Sequence, residues 1–151
     1  MKKFLKSVLT LGLVLAITFA FAGCKIVQAD GTWVCNKMKA TVSYTNATVD
    51  LMQWGGEIEL TLDEDGSMQI AGYIPAVTPY SDVMYVFADN GTWKLDGTTI
   101  TLNGGEQRKL EWNNNKIIYT VEQILNDPDE NTEGDEAKIT IVCELVPVAE
   151  D

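Results

Sequence analysis

The chain has 151 residues, of which 46% are apolar, 22% charged and 9% aromatic, a composition suited to one globular domain and not to a disordered or fibrous chain. The 22 acids outnumber the 11 bases and leave a net charge of −11, which argues against a nucleic-acid partner, because phosphate contacts need clustered Lys and Arg. Histidine is absent, which excludes Ser-His-Asp and Cys-His catalysis and His-ligated zinc or haem.

The first two dozen residues read as an address. Lys2, Lys3 and Lys6 precede an uncharged apolar run from Val8 to Ala22. A basic start, a short apolar run and a small-residue exit make a secretory signal. The run is shorter than the ~20 residues a membrane span needs. It ends Phe21-Ala22-Gly23-Cys24, which resembles a bacterial lipobox, where small residues precede a cysteine that is lipidated and becomes the new N-terminus. The resemblance implies a lipoprotein signal peptide over residues 1–23, lipid on Cys24, and a protein held on the extracytoplasmic face of the cell membrane. Residues 24–29 are then a short tether and 30–151 the folded domain. The signal takes three lysines and no acid with it, so the lipid, and not attraction to anionic head groups, holds the body at the surface.

Beyond the tether, turn signals are frequent and helical periods scarce. Gly31-Thr32-Trp33 opens the first strand. Thr48 to Trp54 fits either a strand or one helical turn. Glu57 to Leu62 alternates strictly between polar and apolar, as a half-buried strand does. Asp63-Glu64-Asp65-Gly66 predicts a hairpin turn, and Met68, Ile70 and Ile74 continue the apolar face on the return strand. Val83 to Phe87 reads as a central strand, and Asn90-Gly91 as a turn into Thr92 to Leu95. Asp96-Gly97 predicts a hairpin into Thr98 to Leu102, and Asn103-Gly104-Gly105 turns again. Arg108, Leu110 and Trp112 share one face of the next strand, Asn113 to Asn115 make a corner, and Ile117, Tyr119 and Val121 follow. The acidic stretch Asn126 to Glu136 reads as an exposed loop. The last strand is Lys138 to Val146, with Ile139, Ile141, Cys143 and Leu145 on one face.

Short strands at this spacing indicate an all-β sandwich or barrel, and sequential hairpins favour an up-and-down meander. The two Gly-Thr-Trp segments, with Asn90 to Leu102 and Leu60 to Ser67, resemble bacterial lipocalin-like domains found on small surface lipoproteins. That resemblance covers roughly Asp30 to Val121. It implies a single antiparallel up-and-down β-barrel of about eight strands, with room for one small ligand. It also implies that Trp33 plugs the closed end, with Trp93 as a second structural tryptophan at a barrel end.

Closure of such a sheet makes the first and last strands neighbours, so Cys35 and Cys143 are candidates for a disulfide across the seam, which an exported protein permits. Trp54, Tyr73, Tyr80 and Trp112 are candidates for a ligand site, against the alternative that the aromatics are core. The segment Tyr73 to Tyr80 reads as an apolar, Pro-bearing loop at the rim of a mouth. Asp129 to Gly134 mimics half a calcium loop, but the closing position falls on Thr140, and a solvated charge run is the better reading. Glu57 and Glu59 share a strand face, again best read as solvated. No nucleophile motif, phosphate loop or Cys-x-x-Cys is present, so no catalytic residue, metal or cofactor is assigned. The expectation is a non-catalytic binding module for a small apolar ligand, with a protein-interaction or inhibitor module with a filled interior as the alternative.

Overall fold

In the computed structural model, residues 29–125 and 138–149 are described. The expected signal peptide, Cys24 and the acidic stretch with its calcium-like spacing lie outside them. The described residues form nine strands: β1 (Gly31–Val42), β2 (Ala47–Asp50), β3 (Glu57–Leu62), β4 (Ser67–Ile74), β5 (Tyr85–Asp96), β6 (Thr99–Asn103), β7 (Gln107–Trp112), β8 (Ile117–Ile124) and β9 (Lys138–Pro147). A 3-10 turn, Leu51–Trp54, separates β2 from β3. The ambiguous stretch after Thr48 is therefore strand first and helical turn second. Asp50 caps that turn by accepting from the Met52 amide at 3.0 Å.

All neighbouring strands are antiparallel, and β1 pairs with β9, so the sheet closes into a barrel. β2 and β3 lie end to end along one edge of β1, facing Lys39 to Val42 and Gly31 to Val34 respectively. The wall therefore has eight strand positions in up-and-down order. One end, here called the tether end after the tether expected at residues 24–29, carries the start of β1, the β3–β4 turn and the end of β9. The other, the far end, carries the β1–β2 turn and the loop from β4 to β5.

Alternation puts Ile58, Leu60 and Leu62 inside and leaves Glu57 and Glu59 in solvent. The same rule buries Met68, Ile70 and Ile74, then Ile139, Ile141, Cys143 and Leu145. Met38, Leu60, Met68, Ile100, Leu102, Ile117, Ile141 and Leu145 are all under 2% exposed, so the middle is filled by side chains. Each such burial contributes roughly 1.5–3 kcal/mol.

Two sequence expectations need correction. The strand expected at Val83 starts at Tyr85, and Val83 and Met84 are about half exposed. Asn90-Gly91 is not a turn. β5 runs through it, pairing with β4 up to Thr92 and with β6 from Thr92 onward. A Cβ on Gly91 would overlap the Asn103 carbonyl oxygen, so this glycine serves a close approach of two backbones where the strand passes from one neighbour to the next.

Candidate functional site

The wall has a slit on one side. The β1–β3 ladder ends at Val34 opposite Glu59, and β2 takes up the edge only at Lys39. Between them β1 carries a bulge: Cys35 faces Leu145, Lys37 faces Glu144, and Asn36 is the extra residue. The result is an outer groove of about 360 Å³, lined by Val34, Cys35, Glu57, Ile58, Glu59, Ala71 and Gly72. Its rim is acidic, and its floor holds a thiol and the side-chain-free Gly72. A second groove of about 370 Å³, lined among others by Lys109, Glu111 and Thr120, opens where β7 and β8 share only two residue pairs.

Cys35 and Cys143 are free thiols. Both point inward, and they lie on the neighbouring strands β1 and β9, with Met38 opposite Cys143. A hydrogen bond from Cys143 holds the Cys35 thiol below its ordinary value, assisted by the Lys37 and Glu144 backbones against partial desolvation. Cys143 is pushed the other way by the same interaction and by burial. Cys35 is half-buried and reaches the groove, whereas Cys143 is fully buried.

The four aromatic candidates do not form one site. Trp54 is 44% exposed on the 3-10 turn, and the Tyr73 hydroxyl lies against the adjoining Gly55, so these two share a surface. Tyr80 stands in the β4–β5 loop, edge-on to Tyr44 at 5.9 Å. Trp112 belongs to the core, and its buried Nε1–H has no acceptor among the described residues. The loop itself is not the exposed apolar rim expected. Ile74 and Val77 are 0% and 1% exposed, and the backbone N–H groups of Tyr80 and Ser81 both donate to the Val77 carbonyl. Trp33 and Trp93 both lie at the tether end, donating to the carbonyls of Ala29 and Asp63, each at 2.9 Å.

A charged cluster on the inner face went unread in the sequence. Arg108 donates to Asp89 at 3.0 Å and to Glu106 at 3.3 Å, and stands over the Phe87 ring at 5.4 Å from its centroid. Both Asp89 carboxylate oxygens accept from the Gly105 N–H at 2.9 Å. Tyr119 packs edge-on to Phe87, and burial raises its hydroxyl above the ordinary value. The signal was the parity of Arg108 with Leu110 and Trp112: a guanidinium on an inward face needs a carboxylate opposite. With two carboxylates on one guanidinium, the cluster ties the β6–β7 turn to β5.

The Gly105 N–H and Arg108 hold the Asp89 carboxyl below its ordinary 3.8. A depressed carboxylate contributes stability above its unfolded value, and that stability is lost as pH falls through the folded value. The thermal midpoint should therefore be flat near neutrality and drop below about pH 4. Asp89→Asn should start lower at neutral pH and fall less steeply on acidification. Equal slopes for the two proteins in a pH series of melting curves would contradict this.

Searches of protein-family models, of curated proteins and of solved structures found no match to the chain.

Proposed function

We propose that this protein is a lipid-anchored, extracytoplasmic binding module that recognises a protein partner through its outer surface and not through a hollow barrel. The observation carrying this reading is the contrast between inside and outside. The central interior hydrophobes are buried, while Tyr44, Trp54, Val83, Met84, Val86, Ile124, Val142 and Val148 are 40–65% exposed. Most of them lie toward the far end, and Tyr73 opposite Val86 extends the patch across β4 and β5. Ala29 is buried against the tether end, five residues after Cys24. Five residues span at most ~18 Å, so an anchor on Cys24 turns the far end away from the membrane and toward partners.

The anchor is tested by Cys24→Ser. The variant should fold as the parent does and move from the membrane to the soluble fraction; continued membrane attachment would remove the anchor from the proposal. The binding mode is tested by native mass spectrometry of the purified, unlipidated domain. The mass expected is that of the chain alone. A co-purifying small apolar molecule would instead favour the carrier reading.

A further inference from the structure

We propose that Cys35 and Cys143 form a dithiol–disulfide couple that exchanges with disulfides entering the β1–β3 groove, with Cys35 as the attacking sulfur and Cys143 as the resolving one. This does not depend on the protein-binding reading. It rests on three features of the wall. The bulge at Asn36 sets Cys35 beside the gap between β1 and β3, where it lines the groove. Cys143 is fully buried on β9, two residues from Leu145, which faces Cys35 across the β1–β9 seam, so the two thiols stand diagonally on neighbouring strands. Every neighbouring inward residue of these strands, Trp33, Met38, Ile141 and Leu145, is a buried hydrophobe, so the thiols are the reactive pair of this region. One sulfur is reached from solvent and the other through the first, which imposes an order on exchange.

The chemistry balances without an outside oxidant. The Cys35 thiolate attacks one sulfur of a disulfide R–S–S–R, forming Cys35–S–S–R and releasing RS⁻, which takes up the proton that Cys35 gave. Cys143 then gives up its proton and attacks the Cys35 sulfur, displacing the second RS⁻. The incoming disulfide is reduced to two thiols, and the protein pair is oxidised by two electrons, once per chain. The new bond ties β1 to β9 across the seam. Glu57 and Glu59 on the groove rim set the substrate class: a disulfide carrying positive charge is drawn in and an acidic one repelled.

The test exposes the full, folded and reduced chain to cystamine, a dicationic disulfide, or to oxidised glutathione, which is anionic. Alkylation of the remaining thiols and peptide mass mapping then score each cysteine separately. The expected product is a Cys35–Cys143 disulfide. Cys143→Ala should trap the mixed disulfide on Cys35. In Cys35→Ala, Cys143 should react about tenfold or more slowly than Cys35 does in the parent. Cys143→Ser provides a second trap should the alanine variant not fold. The ratio of cystamine to glutathione rates should fall several-fold in the Glu57→Gln/Glu59→Gln variant. Modification of Cys143 as fast as Cys35, or a bridge obtained only after denaturation, would overturn the couple. An unchanged rate ratio would overturn the assigned substrate class.

Discussion

Gly72→Ala is expected to destabilise the protein by on the order of 2–6 kcal/mol, a large part of the stability of a domain this size. Two independent penalties add. Gly72 has φ +127°, a conformation that L residues rarely adopt, and strain of this kind costs roughly 1–3 kcal/mol. An added Cβ would also overlap the Glu57 carbonyl oxygen, where β4 crosses close to β3, and such overpacking costs a further ~1–3 kcal/mol. Gly31→Ala separates the two effects. Gly31 has φ +123° but open space around its missing Cβ, so only the strain should be felt. Urea unfolding followed by tryptophan fluorescence measures both. A Gly72→Ala loss no larger than that of Gly31→Ala would show that the β3–β4 approach imposes no steric demand.

Trp33→Ala should cost about 3–5 kcal/mol, the range for truncating a buried aromatic. Trp33 is 3% exposed, opposite Leu60 on β3 and Pro147 on β9, so its loss opens the tether end on two seams. It also frees the Ala29 carbonyl that its Nε1–H holds. Trp33→Phe keeps most of the apolar volume and removes the hydrogen bond, for which about 0.5–1.5 kcal/mol is expected. Trp93 makes the equivalent bond to Asp63, yet is only partly buried, so Trp93→Ala should cost clearly less than Trp33→Ala. Equal losses at the two positions, read from denaturation midpoints, would mean that Trp33 does not close the barrel end.

The strands were legible wherever one face is wet and the other dry. Glu57 to Leu62 states its register in six residues, and β9 does so through Ile139, Ile141, Cys143 and Leu145. β1 is harder to read. Its inward residues are Trp33 and Cys35, then Met38, Ala40 and Val42, a change of parity that the bulge at Asn36 explains and that no local pattern announces. Asn90-Gly91 misled for a related reason. Asn-Gly is a strong turn signal when judged by backbone preference alone. What requires the glycine is the Asn103 backbone twelve residues away in sequence. The candidate site divides in the same way. The neighbourhood of Cys35 and Cys143 was readable once closure was assumed, whereas the groove beside Cys35 and the grip of Asp89 on Arg108 were not.

By itself the sequence determined an acidic, histidine-free, all-β chain with alternating faces, turns at Asp-Gly and Asn-rich corners, and a lipobox-like segment ahead of it. Those properties are local, fixed by side-chain period and by the φ each turn residue allows. Tertiary structure alone decided that β1 meets β9 about a hundred residues later, that β2 and β3 share one edge of β1, and that the handover between them leaves a slit next to a thiol. Those outcomes depend on register and shear around a closed sheet, and non-local hydrogen bonds set both.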